Sequence, residues 1–160
     1  MTYGIGFGSN MGDRVEHIRA GMAFLNTIFK SGWRVSSLYE TSPVGCPPGS
    51  PDFINAVAEG EFEGNPLALH RLLKAFEQTR GDRRPPAGRN EPRALDLDLL
   101  YAEGPFASAE LTLPHPRLHL RRFVLQPLAE IHPALVIPGL GKTVQELLAA
   151  LKTDEVVRAL

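Results

Sequence analysis

The chain has 160 residues, 43% of them hydrophobic and 22% charged, a composition that fits one ordinary globular domain and disfavours disorder, a collagen-like chain or a long coiled coil. A domain of this length buries roughly 70% of the surface its unfolded chain exposes, so it needs no disulfide staple, and the single cysteine, Cys46, has no internal partner for one. Seventeen basic and eighteen acidic residues leave a net charge of −1; the broad basic footprint of a nucleic-acid binder is missing, and any anion site must be local.

No apolar run approaches the ~18 residues of a membrane span, and the opening residues show no basic-then-apolar leader. The expectation is a single domain over residues 1–160, cytoplasmic and monomeric, with neither membrane nor nucleic acid as partner. Fifteen glycines and fourteen prolines are the compositional outlier.

Residues 2–9 predict a strand ending in a glycine turn. Asn10 to Asp13 then open a helix running to about Phe29, with Val15, Ile18, Met22, Leu25 and Ile28 spaced by three and four. Trp33 to Glu40 reads as a second strand. Residues 41–51 are so rich in proline and glycine that they neither hold a ladder nor continue a helix, and form a long loop. Asp52 to Phe62 resumes as a strand. Asn65-Pro66 opens a helix to about Arg80 whose apolar face is Leu67, Leu69, Leu72, Leu73 and Phe76.

A second loop spans 81–92, and Arg93 to Tyr101 reads as a strongly apolar strand interrupted by two aspartates. Beyond it, short strands are expected near Leu111 to Leu113 and Leu135 to Ile137, irregular helix from Arg117 to Glu130, and a closing helix from Thr143 to about Leu151. The order is the split βαβ pattern of a ferredoxin-like α+β sandwich, βαββαβ, with a C-terminal extension. Structureless loops this long are uncommon in compact domains and usually functional or disordered.

The run Leu95-Asp96-Leu97-Asp98-Leu99-Leu100 carries the sharpest chemical signal. On a strand, residues two apart face the same way at roughly 6.5–7 Å, so Asp96 and Asp98 share one face and Leu95, Leu97 and Leu99 the other. Two carboxylates side by side raise the free energy unless a cation neutralises them, and a hard ion such as Mg²⁺ would do so. The bland alternative is a solvated strand face. Arg80, Arg83, Arg84, Arg89 and Arg93 lie in or beside the preceding loop; guanidinium forks match phosphate oxygens, which favours a metal–polyphosphate complex over a solvated charge run.

Other patterns fail on inspection. Gly4-x-Gly6-x-Gly8 lacks the third glycine of a dinucleotide fingerprint, since Met11 stands in its place, and Gly141-Lys142-Thr143 lacks the upstream glycine of a P-loop, where Val136 stands. His115 and His119 have zinc spacing only if helical, yet Pro114 and Pro116 flank the first and no third ligand accompanies them. His17, His70 and His132 read as ordinary surface or capping histidines, and Phe53 and Phe123 as core.

The chain resembles the 6-hydroxymethyl-7,8-dihydropterin pyrophosphokinases of folate biosynthesis. The resemblance rests on Gly8-Ser9-Asn10, on the run from Tyr39 to Gly45, and on Pro51-Asp52-Phe53-Ile54-Asn55-Ala56. It continues through Pro92 to Leu100, Leu113-Pro114-His115-Pro116 and Arg121 to Leu128. It implies a ferredoxin-like sandwich that transfers the terminal diphosphate of ATP, as co-substrate, to the hydroxymethyl group of the reduced pterin and releases AMP.

It further implies two Mg²⁺ ions on Asp96 and Asp98, and a clamp on the transferred group from Arg93. The pterin would lie between Phe53 and Phe123, against Asn55 and the segment Thr41, Ser42, Pro43 and Val44. Glu77, Arg93, Leu99, Thr112, His115 and Arg121 would contact ATP. Asp82 stands where the family commonly has a catalytic arginine, so that role passes to Arg83 or Arg84. Asn90-Glu91, Glu110 and Pro116 also depart from the common pattern. A ferredoxin-like RNA- or nucleotide-binding module and a purely structural or regulatory domain with a vestigial site are the competing readings; the charge balance and the lack of an RNA-binding sequence run count against the first.

Overall fold

The structure is a computed structural model and describes residues 1–42, 49, 51–81 and 94–160. The expected roles of Pro43, Val44, Arg83, Arg84 and Arg93, the loop 81–92 beyond its first residue, and Cys46 lie outside the described residues.

Strand β1 (Thr2–Ser9) alternates strictly. Tyr3, Ile5 and Phe7 are buried on one face against Ile18 and Leu25 of α1 (Arg14–Ile28) and Leu69 and Leu73 of α2 (Pro66–Arg80). Both helices start where a short polar side chain takes a free amide: Asp13 accepts from the Glu16 N–H at 3.1 Å and Asn65 from the Ala68 N–H at 2.8 Å, with Pro66 in the first turn. β4 (Phe53–Glu61) runs antiparallel to β1 over all eight of its residues, and β5 (Asp96–Tyr101) pairs antiparallel on the other side.

β2 (Arg34–Val35) and β3 (Tyr39–Thr41) both pair with β4, and β8 (Val157–Ala159) extends the sheet beyond β3. The order β5-β1-β4-β3-β8 contains the ferredoxin-like arrangement that the element order predicts. The remaining elements are a small hairpin, β6 (Phe106–Ala107) with β7 (Thr112–Leu113), then α3 (Arg122–Ile131) and α4 (Val144–Ala150). Val124, Leu125 and Leu128 of α3, with Ile137 and Val144, cover Val57, Leu100 and Tyr101 on the second face of the sheet. The extension thus buries a face that a bare βαββαβ unit leaves open.

Four expectations are corrected. The strand expected over Trp33 to Glu40 is split, because the register shifts by one residue between Val35↔Ala58 and Tyr39↔Asn55. At the break Ser36 turns its hydroxyl to the Val57 N–H at 3.0 Å, and the Ser37 N–H goes to Glu130. The stretch Leu135 to Ile137 makes only an isolated bridge, Val136↔Thr143. Leu72 is 39% exposed, at the margin of the arc that buries Leu69 and Leu73. The histidines have specific partners: His17 Nδ1 accepts from Arg80 Nε at 3.3 Å, His132 Nδ1 lies 3.0 Å from buried Glu59, and His70 Nε2 lies 3.8 Å from Glu110.

Where β1 pairs Gly4 with both Tyr101 and Glu59, the tyrosine ring crosses the bare glycine and its hydroxyl donates to the Glu59 carboxylate, 5% exposed. A Cβ on Gly4 would fall inside the Tyr101 ring. Gly4→Ala therefore displaces the ring and breaks a buried hydrogen bond, with an expected loss of about 1–3 kcal/mol in urea unfolding and no change in helix content. An unchanged midpoint would contradict this packing.

Candidate active site

The second face of β1 is Gly4, Gly6 and Gly8, and the register sets each of the last two beside a carboxylate. Gly8 pairs with Asp96 and Asn55, and Gly6 with Asp98 and Val57. The missing side chains leave a cavity of about 650 Å³ with Gly6, Gly8, Asp96 and Asp98 at its base. A Cβ at position 8 would come within 3.2 Å of Asn55 Nδ2 and 3.7 Å of Phe53, so glycine is needed here for the space it leaves.

Phe53 and Phe123, both half-buried, line this cavity from β4 and from the start of α3, with Arg121 and Arg117 beside them. Neither ring is plain core. The Arg121 guanidinium lies 5.3 Å from the centre of the Phe123 ring, a cation–π distance. Asn55 is held in one orientation: Thr41 Oγ1 donates to Asn55 Oδ1 at 2.7 Å, and Asn55 Nδ2 donates to the Phe7 carbonyl at 3.3 Å. A planar wall with a fixed amide at its edge suits a flat, hydrogen-bonding ring. Ser42 lines the same cavity.

A second cavity of about 270 Å³ lies between β5, the β6–β7 hairpin and α2, lined by His70, Leu99, Glu110, Leu111, Thr112 and Pro116. Asp98 and His115 line both cavities, so the two meet at these side chains. Glu110 is bonded by Arg71 at 3.1 and 3.4 Å; Arg71 itself lines neither cavity.

Sequence reasoning placed Glu77 at the nucleotide, but in the structure it lines neither cavity and accepts from Lys74 at 2.7 Å and from the Leu97 N–H at 2.9 Å. Lys74, Arg117 and Glu155 were missed. Lys74 and Glu77 look like a surface i, i+3 pair, and nothing in the sequence shows that the lysine reaches β5. Glu155, which accepts from the Phe123 N–H at 3.4 Å, follows α3 at a distance in sequence with no motif around it.

The charges here are strongly perturbed. Burial would push the Asp98 carboxyl up, but Lys74, by its charge and its hydrogen bond, with Arg121, outweighs it and holds the group below the ordinary carboxylate range. Burial raises Glu77, an effect that Lys74 and the Leu97 amide only partly offset. Burial would lower the Lys74 ammonium, yet Asp98 and Glu77 raise it, so it stays charged.

Among the described residues no three His, Cys, Asp or Glu side chains form a metal cage. Asp96 and Asp98 still fit Mg²⁺, which protein sites hold through one or two carboxylates with substrate phosphates completing the shell.

His115 is fixed at the junction by its backbone N–H, which donates to the Leu100 carbonyl at 2.7 Å, while its ring Nδ1 accepts from the Arg117 backbone N–H at 3.1 Å. An accepting Nδ1 requires the neutral ring with its proton on Nε2. Burial, Arg121, Arg117 and Lys74 all lower its pKa, and only Asp98 pulls it up.

The sequence profile of the family described as 7,8-dihydro-6-hydroxymethylpterin-pyrophosphokinase matches residues 4–133. The 2-amino-4-hydroxy-6-hydroxymethyldihydropteridine pyrophosphokinase of Haemophilus influenzae is 38% identical over 141 residues, 87% of this chain and 86% of that protein. The Bacillus subtilis protein of the same name is 40% identical over 133 residues, 79% and 75% of the two chains. The chain also matches the folic acid synthesis protein fol1 of Schizosaccharomyces pombe at 38% identity, spanning only 20% of it.

In structure, the wild-type HPPK-DHPS of Plasmodium falciparum superposes with a TM-score of 0.68 at 12% identity, over 92% of this chain and 44% of that one, which supports the fold. The chain belongs to the 7,8-dihydro-6-hydroxymethylpterin-pyrophosphokinase family.

His115 is expected to titrate below about 6.5. A base depressed by folding takes up its proton more readily in the unfolded chain. Its contribution to stability is therefore complete above pH 6.5 and lost as pH falls through the folded value. ¹⁵N NMR should show the Nε2–H tautomer at pH 7, and Asp98→Asn should drive the titration lower still. A His115 midpoint above 6.5 would refute the assignment.

Proposed function

We propose that the larger cavity binds the reduced pterin between Phe53 and Phe123, that the smaller one binds the adenosine end of ATP, and that the diphosphate crosses between them at Asp98 and His115. As a member of its family the chain is a pyrophosphokinase of folate synthesis. The observation that carries the detailed reading is the junction: two cavities of different character that, among the described residues, share only a carboxylate and a neutral imidazole.

The chain's own residues do three things. Thr41 fixes the Asn55 amide, which then reads the polar edge of the ring that the two phenylalanines hold flat, with Ser42 lining the same cavity. Leu99 and Thr112 line the nucleotide cavity. Arg121 and Arg117 aim permanent charge at the cavity where anionic oxygens collect. Asp96 and Asp98 would hold two Mg²⁺ ions, which supply charge neutralisation on the phosphates.

The hydroxymethyl oxygen bonds to the β-phosphorus, the bond from that phosphorus to the α-phosphate oxygen breaks, and AMP leaves with the electron pair. The hydroxyl proton passes to solvent. Positioning and electrostatics supply the catalysis, and no covalent enzyme intermediate is required. We assign the clamp on the moving group to Arg93 with Arg83 or Arg84, from the family pattern, and to Glu77, which lines neither cavity, the holding of Lys74.

Glu155, beyond the residues the family profile matches, lines the pterin cavity, which supports residues 1–160 working as one unit.

The test is direct: with Mg²⁺, ATP and 6-hydroxymethyl-7,8-dihydropterin the nucleotide product should be AMP, and ADP would overturn the reading. Asp98→Asn should lower turnover about a hundredfold or more with the fold unchanged by circular dichroism. Near-normal turnover would remove Asp98 from the metal site.

A further inference from the structure

Lys74 lies on α2 behind the carboxylate pair and lines neither cavity. Its ammonium donates to Glu77 Oε2 at 2.7 Å, to the Leu97 carbonyl at 2.9 Å and to Asp98 Oδ1 at 3.2 Å. An ammonium has three protons, so this set saturates it and leaves it one orientation. The Leu97 N–H closes the arrangement by donating to the same Glu77 oxygen at 2.9 Å. A positive charge is therefore built against one member of the pair that faces the cavities, and Glu77 keeps it there.

A cation so placed does to Asp98 what an incoming divalent ion would do: it relieves the repulsion from Asp96. It also opposes that ion, because like charges a few ångströms apart in a half-buried setting repel far more strongly than in water. We propose that Lys74 is a resident counter-cation that makes metal binding at Asp96 and Asp98 depend on the nucleotide. The partly neutralised pair holds a free divalent ion weakly, and retention requires phosphate oxygens as further ligands. Lys74 is thus a positioning residue acting through Asp98. The proposal rests on reading Asp96 and Asp98 as metal ligands.

Mn²⁺ binding followed by electron paramagnetic resonance tests it. Affinity is measured for the ion alone and with an ATP analogue whose α,β-bridging oxygen is a methylene. The wild type should bind free Mn²⁺ weakly and gain strongly from the analogue. Lys74→Met should bind free Mn²⁺ about 10- to 100-fold more tightly, because it removes a like charge from beside the ion, and gain less from the analogue.

Lys74→Gln keeps a donor for the Leu97 carbonyl without the charge and should shift the same way, which separates charge from packing and covers any misfolding of the methionine variant. Unchanged or weaker free-ion binding in the folded variants would overturn the proposal while leaving the metal site intact. Asp98→Asn serves as the control on that underlying reading: if it left Mn²⁺ binding unchanged with the analogue present, the metal assignment itself would fall, and the proposal with it.

Discussion

The site depends on one strand face that carries no side chains. β1 sits at the centre of the ferredoxin-like sheet, between β4 and β5, and contributes three large apolar residues to the core and three glycines to the other side. Glycine weakens a strand, because it loses more backbone freedom and packs nothing. Here the cost is met by pairing on both sides, and at Gly4 by an aromatic ring laid over the gap, a known compensation for glycine in sheets. Where no ring covers them, at Gly6 and Gly8, the gap remains and is the cavity. Residues at those positions large enough to stabilise the strand would fill the space beside both aspartates.

A bare βαββαβ sheet would expose this trough as a shallow surface. The C-terminal extension makes it a cleft, since α3 and α4 bury Val57, Leu100 and Tyr101 at one end and bring Arg121 and Phe123 over the other. The same elements fasten down through polar contacts at the sheet margin, where Glu130 accepts from Ser37 and Tyr39. Burial first, then the Glu130 hydrogen bond, pushes the Tyr39 hydroxyl up to about 12, so this fastening keeps its proton across the physiological range. From residues past the matched family segment, Glu155 adds to the cavity wall and β8 extends the sheet beside β3.

What the sequence revealed follows from period and spacing. The two-residue alternation of Asp96 and Asp98 against Leu95, Leu97 and Leu99 placed the carboxylates on one face without knowledge of any neighbour. The helix starts at Asp13 and Asn65 were readable because caps are local chemistry. The misses are all relational. Gly4-x-Gly6-x-Gly8 looked like a failed phosphate motif, and its meaning appears only when β5 supplies an aspartate beside two of the glycines. The split after Val35 depends on where two serines find partners on β4 and α3. β8 is three residues with no alternation to detect, and a strand that short exists only because β3 offers an unpaired edge.

Charge shows the same dependence on arrangement. A net charge of −1 conceals a separation within the cleft, with Asp96 and Asp98 at its base and Arg117 and Arg121 on its wall. The groups between them are set by these neighbours. Burial would leave Asp98 protonated more readily, but the cations around it keep it ionised, and those same cations with burial keep His115 neutral. The result is a junction at which the Asp98 carboxylate stays ionised and the His115 imidazole stays uncharged at neutral pH. A reaction that moves a highly charged diphosphate between two cavities needs such constancy, because a proton gained or lost at the junction would alter the field along the path of transfer.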